Sequence, residues 1–359
     1  MSGPFSLRQA SRRWWVLLGV LAVAFGAVYF GRRAPAAATT RLEGRTMGTT
    51  WSVLLDGPRP SGREEALRGE VEALLAEVNA SMSTYDPNSE LSRFNRVRDT
   101  APVEISAPLA EVMALSLDVS RRSGGSFDVT VGPLVEAWGF GSRGRVEELP
   151  EDDEIARLLS RVGADQLVLQ GRALAKRHPE VEVDLSAVAK GDAVDRVSEL
   201  LLARGEPNHL VEIGGELRAR GQSAQGVPFR VGIEEPDPRQ RTLRLAVALD
   251  DRALASSGNY RNHFTRGGRR YAHTLDPRTG RPVQHPLQAV SVLHDRCGAA
   301  DAWATALLAA GPEQAWELAN AEGLDVLLLV EGPEGKVVQR VTPGFERALL
   351  PVPSSLERR

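Results

Sequence analysis

The sequence predicts an α+β fold, because its strand-like and helical segments occur in separate runs without regular alternation. Four strand-like segments follow one another in the second half of the chain, at residues 209–213, 229–233, 243–249 and 289–293. Apolar residues make up 42% of the 359 residues and charged residues 25%, a balance typical of a globular protein with a proper core. We therefore expect one folded unit at residues 46–350, followed by a tail at residues 351–359.

The first half of this unit contains mainly helical patterns. Residues 46–55 alternate in the manner of a strand. The spacing of apolar residues then predicts a helix at residues 62–79. A second helix at residues 108–122 is predicted from Ser106 as its N-cap and Gly124-Gly125 after its end. An acidic segment at residues 147–154 leads into a short helix that ends near residue 163. Residues 81–95 are rich in Ser, Asp, Pro and Asn, which predicts a loop between the first two helices.

The second half is expected to contain most of the strands. A pair of short strands is predicted at residues 166–170 and 182–184. The next helix is predicted at residues 187–204, where several apolar side chains share one face. An Ala- and Leu-rich segment at residues 297–311 predicts a buried helix. A last strand at residues 324–331 is expected to complete the core.

The N-terminal residues predict export. An uncharged stretch of 18 residues, 14–31, is flanked by arginines on both sides. This length is marginal for a spanning helix and long for the apolar region of a signal peptide. We expect residues 1–33 to be a signal segment or membrane anchor and residues 34–45 a tether, with the body on the extracytoplasmic (periplasmic) side of the cytoplasmic membrane. The flanking arginines favour an uncleaved anchor, and the lack of a nearby Cys excludes lipoprotein attachment.

The charge distribution argues against a nucleic-acid partner. Residues 1–33 contain five Arg and no acidic residue, so the rest of the chain carries 39 basic and 47 acidic residues, a net charge of −8. Its Lys and Arg residues are scattered, whereas nucleic-acid binding depends on clustered basic side chains. We expect no nucleic-acid partner.

Three familiar kinds of site are not supported by the sequence. The single cysteine, Cys297, excludes an intramolecular disulfide and a Cys-based zinc site, and it is more often a small buried hydrophobe in such a setting than a nucleophile. The six His residues form no H-E-x-x-H motif and no i, i+4 helical pair. Residues 139–144 (GFGSRG) fit the dinucleotide pattern G-x-G-x-x-G, but no helix pattern follows, which indicates a flexible loop.

Asp301 and Thr305 form a polar pair on the Ala-rich helix at residues 297–311. Their spacing of four residues places them on one face of the helix. One charged and one neutral oxygen ligand favour Mg²⁺ over zinc. The alternative is a Thr bonded to the carbonyl one turn earlier and an Asp paired with an Arg. Helix spacing and ligand chemistry leave these two interpretations equally open.

His273 stands apart from the other histidines because of its setting. It lies in residues 271–282 (YAHTLDPRTGRP), where Asp276-Pro277 and Thr279-Gly280 predict a tight turn. Catalytic groups concentrate on loops that a rigid scaffold positions. From this context alone, a functional and a structural His273 are equally supported.

Two further segments combine polar side chains with glycines or a helix start. Residues 124–133 (GGSFDVTVGP) contain two glycines whose main-chain N–H groups can approach a ligand, together with Asp128. Residues 183–191 (VDLSAVAKG) place Asp184 and Ser186 before a helix, whose first-turn amides can bind an anion. Ser186 is equally a candidate N-cap. Lys190 lies in that first turn, where a cation opposes the helix dipole, and facing a phosphate would explain it.

Seven of these segments, taken in chain order, resemble the ApbE family, the FAD:protein FMN transferases. They are residues 46–49 (TMGT), 82–95 (MSTYDPNSELSRFN), 125–133 (GSFDVTVGP), 184–191 (DLSAVAKG), 212–216 (EIGGE), 273–280 (HTLDPRTG) and 300–306 (ADAWATA). The resemblance covers roughly residues 44–331, nearly the whole predicted body. Many relatives carry a lipidated Cys at the N-terminus, and this sequence departs from them there.

The resemblance implies an α+β fold of two subdomains with FAD held in the groove between them. It assigns FAD contacts by position to Met47, Tyr85, Ser126, Phe127, Asp128, Asp184, Lys190 and Leu275. It assigns Mg²⁺ to the main-chain carbonyl of Ala187 and the side chains of Asp301 and Thr305. His273 matches the His of the family's H-x-x-D-P motif and is the expected general base, with Asp301 as the competing candidate.

The activity implied is transfer of the FMN part of FAD to a Thr or Ser hydroxyl of a target flavoprotein, with release of AMP. The family's usual targets are electron-transport flavoprotein subunits exposed outside the cytoplasmic membrane, although the sequence does not identify the acceptor. Three alternatives remain at this point: an FAD pyrophosphatase, an exported FAD-binding protein without chemistry, and a redox flavoprotein.

Overall fold

The computed structural model describes residues 39–237, 239, 242–260 and 262–351. The predicted signal or anchor segment at residues 1–33 lies outside these ranges, as does the tail from residue 352 onward. No helix within the described ranges is both long and apolar enough to cross a membrane.

The described residues fold into a mixed arrangement of helices and strands, which confirms the predicted α+β class. The helices are α1 (Arg63–Met82), α2 (Glu90–Arg96), α3 (Ala107–Arg122), α4 (Gly132–Ala137), α5 (Asp152–Leu159), α6 (Ala189–Ala203), α7 (Cys297–Ala310), α8 (Pro312–Ala321) and α9 (Pro343–Ala348). The first nine strands are β1 (Thr39–Thr46), β2 (Thr49–Asp56), β3 (Val103–Glu104), β4 (Leu167–Gln170), β5 (Ala173–Lys176), β6 (His209–Ile213), β7 (Glu216–Arg220), β8 (Phe229–Glu234) and β9 (Leu243–Leu249). The others are β10 (Ala253–Gly258), β11 (His263–Arg266), β12 (Arg269–Ala272), β13 (Leu275–Asp276), β14 (Arg281–Pro282), β15 (Leu287–His294), β16 (Asp325–Glu331), β17 (Val337–Val341) and β18 (Leu349–Leu350).

An eight-stranded sheet forms the centre of the fold, with strand order β1-β2-β6-β7-β10-β15-β16-β17. Each neighbouring pair is antiparallel. Successive side chains of a strand point to opposite faces. On β15, Val290 and Val292 belong to one apolar core, whereas Ala289 and Leu293 belong to another. Because both faces are covered, the central strands are almost continuously apolar.

Helices cover one face of this sheet and a small sheet covers the other. On the first face α7 packs on β10, β15 and α6, while α6 contacts β6 and β7. On the second face lies the three-stranded sheet β18-β9-β8, together with Phe345 of α9. The remaining small sheets are β3-β5-β4 and the hairpins β11-β12 and β13-β14.

Helices α6 and α7 approach each other closely at Gly191. A Cβ atom built on Gly191 would lie 2.5 Å from the carbonyl oxygen of Cys297 and 2.8 Å from the Cα of Gly298. Asp195 of α6 also accepts hydrogen bonds from the N–H groups of Cys297 (2.9 Å) and Gly298 (3.0 Å), so it caps the N-terminus of α7. The small residues of the two helices therefore allow direct backbone contact.

The structure corrects the expectations for the N-terminal part of the unit. Residues 39–45, which the sequence assigned to a tether, form most of strand β1. The single strand predicted at residues 46–55 is instead the turn of a hairpin and strand β2, because Met47 and Gly48 have positive φ angles of 48° and 71°. The loop predicted at residues 81–95 contains the start of α2, whose N-cap is Ser89.

Two more predictions fail around residues 166–190. The partner of β4 is β5 and not residues 182–184, because Gly171, with φ 61°, allows the chain to turn back at once. Ser186 does not cap α6, which begins at Ala189; its N–H donates to Asp184 Oδ1 at 2.8 Å instead.

The predicted last strand is also not the end of the core. β16 matches residues 324–331 to within one residue, but β17, α9 and β18 follow it. Their side chains join the second apolar core, through Phe345 and through Val337 and Leu349 at its margin.

Candidate active site

A cavity of about 780 Å³ lies between the main core and a small apolar cluster formed by Leu134, Trp138, Ile155 and Leu275. Its walls come from α7, the start of α6, the start of β7, the end of β10 and the segments at residues 126–132, 182–187 and 273–277. This volume falls within the range usual for small-molecule and cofactor sites. The cavity brings together chain segments that are far apart in sequence.

At the end of the cavity nearest α7, Lys190 lies between two carboxylates. Its Nζ donates to Glu216 Oε1 at 2.9 Å and lies 3.6 Å from Asp301 Oδ2. The two acidic side chains are only 5% and 4% exposed, and that of Lys190 is 28% exposed. Asp301 Oδ2 also accepts a hydrogen bond from the N–H of Gly191 at 3.1 Å. The sequence did not identify this Lys190–Glu216–Asp301 cluster.

The pKa values of this cluster reflect burial and mutual charge. Burial raises the pKa of Glu216 to about 7; Lys190 opposes this shift and Asp301 adds to it. Burial alone would lower the pKa of Lys190, but Asp301 and Glu216 outweigh burial, so its pKa is raised. Lys190 is therefore a permanent cation at neutral pH.

Thr305 lies one helical turn after Asp301, and both residues line the cavity together with Ala187. The Oγ1 of Thr305 is 3.2 Å from Ser257 Oγ. The structure thus brings together the three residues that the resemblance assigns to Mg²⁺. Their carboxylate, hydroxyl and carbonyl oxygens are the ligand types that Mg²⁺ prefers.

His273 lines the same cavity and is held through Asn262. The main-chain N–H and ring Nδ1 of His273 each lie 3.1 Å from the carbonyl oxygen of Asn262. A carbonyl oxygen only accepts, so Nδ1 must carry a hydrogen in this contact, and neutral His273 has its lone pair on Nε2. Burial lowers the pKa of His273, and the charge of Lys190 acts in the same direction. The imidazole is therefore neutral at physiological pH.

The segment that contains Ser126, Phe127 and Asp128 forms one buried wall of the cavity. Asp128 Oδ1 accepts from the N–H and hydroxyl of Thr130, and Oδ2 accepts from the N–H of Ala164 at 2.7 Å. Burial raises the pKa of Asp128, although these hydrogen bonds oppose the shift. Asp128 thus fixes the shape of this wall by joining it to the turn at residue 164.

Three other predicted ligand residues line the cavity and one does not. Tyr85 is 68% exposed at its mouth, Leu275 is buried, and Asp184 holds Ser186. Met47 lies in the β1–β2 turn and packs against the main core instead of lining the cavity. The sequence-based site residues are therefore gathered in one place, with Met47 outside it.

Glu216 and Asn262 are functional candidates that sequence reasoning missed. Glu216 ends the EIGGE segment, whose two glycines, Gly214 and Gly215, have positive φ angles of 63° and 106° and turn the chain between β6 and β7. That tight turn was the available signal, since it places Glu216 at the cavity end of β7. Asn262 acts through its carbonyl, and no side-chain pattern identifies such a role.

The donor set fits a hard cation bound with a phosphorylated ligand. Among the described residues, no group of three or more His, Cys, Asp and Glu is placed to hold a metal. Mg²⁺ usually has one or two carboxylate ligands and completes its shell with water and substrate phosphates. No described residue donates a hydrogen bond to the buried Oε2 atom of Glu216.

Comparison with known proteins gives the family. The sequence matches the ApbE family over residues 47–328. The FAD:protein FMN transferase of Vibrio cholerae serotype O1 is 39% identical over 324 residues, covering 90% of this chain and 95% of its own. That of Haemophilus influenzae is 41% identical over 305 residues, covering 83% and 88%. A solved structure described as flavin transferase ApbE from Vibrio cholerae has a TM-score of 0.81 and 38% identity, covering 87% of this chain and 100% of its own.

Together the fold and the cavity define a mixed α/β protein with a ligand-sized site between its main core and the small apolar cluster around Leu134 and Trp138 (the satellite cluster). The chain belongs to the ApbE family.

Proposed function

We propose that the protein is an FAD:protein FMN transferase that moves the FMN part of FAD onto a Thr or Ser hydroxyl of a target protein and releases AMP. The observation that supports this most directly is one cavity lined by a neutral His273 and by the Lys190–Glu216–Asp301 cluster. The names of the relatives support the same activity.

FAD is proposed to bind along the cavity wall. Ser126, Phe127 and the backbone around Asp128 give a rigid surface, while Tyr85 and Leu275 offer apolar area near the mouth and the satellite cluster. Lys190 would neutralise pyrophosphate oxygens, helped by the main-chain N–H groups that precede α6. Met47 would take part only if the β1–β2 turn reaches the ligand.

Mg²⁺ is proposed to bind at Asp301, Thr305 and the carbonyl of Ala187, where it would supply positive charge to the pyrophosphate oxygens. Asp301 provides the charged ligand and is oriented by the Gly191 N–H. Thr305 follows one turn later on the same face of α7, which packs on β10 and β15.

His273 is proposed as the general base. Its Nε2 takes the proton of the acceptor hydroxyl as the hydroxyl oxygen bonds to the FMN-side phosphorus. The bond from that phosphorus to the bridging oxygen breaks, and AMP leaves with the electron pair. The Asn262 carbonyl stabilises the imidazolium through the Nδ1–H. Asp301 is the competing candidate, but its carboxylate already contacts Lys190 at 3.6 Å and accepts from the Gly191 N–H, and we assign it to the cation site.

Product analysis tests the proposed activity. The purified chain is incubated with FAD, Mg²⁺ and a Thr-containing peptide of a candidate acceptor, and the products are identified by mass spectrometry. Covalent FMN on the peptide with one AMP per transfer is the expected result. Free FMN with unmodified peptide would make the protein a hydrolase, and intact FAD would make it a binding protein. Asp301→Ala is expected to abolish Mg²⁺-dependent transfer.

The location outside the cytoplasmic membrane is also a proposal, supported by the apolar stretch at residues 14–31 and its flanking arginines. The acceptor is then a flavoprotein subunit exposed on the same side. Protease accessibility of the full-length protein in spheroplasts tests this: digestion of the catalytic unit without cell lysis supports it, and protection contradicts it.

A further inference from the structure

With Glu216 ionised, the Lys190–Glu216–Asp301 cluster contains more negative than positive charge. Two carboxylates face one ammonium group, and both acidic residues are almost fully buried. Buried charges are costly unless they are paired, so the surplus carboxylate requires an explanation. Glu216 is the member of the cluster to which neither the sequence nor the proposed reaction gives a role.

The contacts of the two carboxylates are not equivalent. Glu216 Oε1 accepts directly from Lys190 Nζ at 2.9 Å, and its buried Oε2 has no hydrogen-bond partner in the described part of the chain. Asp301 is farther from Lys190, at 3.6 Å, and the hydrogen bonds that the described residues give it all reach Oδ2. Lys190 is therefore held on the Glu216 side, and Asp301 keeps Oδ1 available.

We propose that Glu216 is a positioning residue for the cation site: it holds the Lys190 ammonium away from Asp301 and contributes the negative charge that makes this end of the cavity bind a divalent cation. The proposal rests on the proposed function, which places the cation at Asp301. Without Glu216, the flexible Lys190 side chain would pair directly with Asp301 and neutralise it.

This arrangement predicts that substitutions of Glu216 and of Lys190, the two partners of one ion pair, change the affinity for a divalent cation in opposite directions. Removing the negative charge of Glu216 weakens the attraction for a divalent cation and frees Lys190 to compete for Asp301. Removing the positive charge of Lys190 eliminates the competitor and strengthens the attraction. A purely structural ion pair would give the same sign for both changes, because either one would leave a buried charge unpaired.

Binding of Mn²⁺, measured by the loss of the free-ion signal in electron paramagnetic resonance, tests the proposal on the full chain without FAD. Glu216→Gln keeps the shape of the side chain and is expected to weaken Mn²⁺ binding about tenfold or more. Lys190→Met is expected to tighten it. Glu212→Gln is the matched control: Glu212 lies in the same turn but accepts from the Gly215 N–H and Ser52, outside the cluster, and should leave Mn²⁺ affinity unchanged.

Three outcomes would overturn the proposal. If Glu216→Gln binds Mn²⁺ with wild-type affinity, Glu216 has no role in cation binding. If both Glu216→Gln and Lys190→Met bind Mn²⁺ more weakly, the cluster is only structural. Mn²⁺ binding that survives Asp301→Asn places the cation elsewhere. Circular dichroism and thermal unfolding of each variant identify any that fails to fold. The measurement involves no FMN transfer, so a protein that binds Mn²⁺ as expected but lacks transfer activity contradicts the proposed function alone.

Discussion

The carbonyl oxygen of Asn262 determines which nitrogen of His273 can act on a substrate. It lies 3.1 Å from both the main-chain N and the Nδ1 of His273, which leaves Nε2 as the basic atom. The side chain of residue 262 has no part in this contact. A single backbone oxygen therefore decides which nitrogen of the His273 ring is basic.

Replacement of His273 by Ala is expected to lower turnover by about 10²–10⁴-fold, the usual contribution of a general base, while FAD still binds. Single-turnover transfer and FAD titration measure the two effects separately. His178→Ala is a suitable control, since His178 does not line the cavity and its ring Nδ1 accepts from the N–H of Glu180. Full transfer activity in His273→Ala would exclude His273 as the base.

The pH dependence of the same reaction follows from the lowered pKa of His273. A base is active when deprotonated, and burial together with Lys190 moves the pKa of His273 below its ordinary value. With Mg²⁺ saturating, so that protonation of Glu216 near pH 7 does not limit cation binding, the transfer rate is expected to remain high through neutral pH and to fall only as the pH drops below 6.5. A rate that already declines above pH 7 would contradict this assignment.

For single residues, the sequence predicted which of them line the cavity better than it predicted what each of them does there. Motif order gathered eleven residues that line one cavity, among them His273 and Asp301. It missed Glu216 because a Glu at the start of a strand has no periodic or ligand-spacing signature. It also gave Asp128 a ligand role without showing that Thr130 and Ala164 occupy its carboxylate oxygens. Such pairings depend on segments that only the fold brings together.

At the level of secondary structure, the site depends on the contact between helices α6 and α7. Gly191 allows the two backbones to touch and also donates to Asp301. Gly191→Ala is expected to destabilise the protein by about 1–3 kcal/mol, because the new methyl group overlaps backbone atoms of Cys297 and Gly298. It should weaken cation binding at the same time, since Asp301 moves with α7.

Gly69→Ala is the matched control for this change. Gly69 lies in α1, and a Cβ atom there meets no other atom within 4 Å. Alanine is the better helix former, so this variant should be more stable by about 0.5–1 kcal/mol. Urea unfolding of both variants measures the difference. Equal stability of Gly191→Ala and the wild type would show that the helices can separate freely.

Asp195 makes a second link between the same helices. It accepts from the first two N–H groups of α7 and pairs with buried Arg218 at 2.5 Å. Asp195→Ala is expected to cost about 3–5 kcal/mol in the free energy of unfolding, because it leaves a buried charge unpaired. Glu199→Ala removes the exposed partner of Arg218, at 3.8 Å, and should change stability little. Denaturant unfolding compares them, and similar losses in both variants would count against the capping role.

Long elements were predictable from the sequence and short ones were not. Apolar spacing predicted α1 and α6 to within a few residues, because one buried stripe over several turns leaves a clear period. The capping residues predicted α3, and the Ala- and Leu-rich composition predicted α7. The two-residue strands of β13-β14 and the hairpin β11-β12 have no such pattern. The β4–β5 turn was missed because a single glycine at 171 reverses the chain, and the next strand-like residues were taken as the partner.

In the molecule as a whole, the eight-stranded sheet holds a buried histidine that makes the fold sensitive to acid. His209 on β6 is bonded to the Glu206 carbonyl at 2.7 Å and to Ser198 Oγ at 2.8 Å. Burial lowers its pKa from 6.5 to about 4. The unfolded chain therefore binds a proton first, and stability falls as the pH drops from 6.5 to 4.

Below pH 4, the free energy of unfolding is expected to be lower by about 3 kcal/mol than at neutral pH, at 1.36 kcal/mol per pKa unit. His209→Gln keeps hydrogen-bonding groups but does not titrate in this range, so its stability should depend less on pH. Denaturant unfolding at a series of pH values from 4 to 7 measures both proteins. Parallel profiles for the two would mean that His209 titrates normally in the folded state.

Because both faces of the large sheet are buried, amides near Asp301 and Thr305 are expected to exchange with deuterium more slowly than amides near His273. Strands β10 and β15 lie in the middle of the sheet, and α7 with Asp301 and Thr305 packs directly on them. Their amides are expected to exchange with deuterium only when the whole molecule unfolds. His273 follows the hairpin β11-β12, whose strands pair only with each other among the described residues, so its surroundings exchange through brief local openings. Asp301 and Thr305 are thus expected to keep their positions for as long as the fold lasts, whereas amides around His273 are expected to exchange within that period.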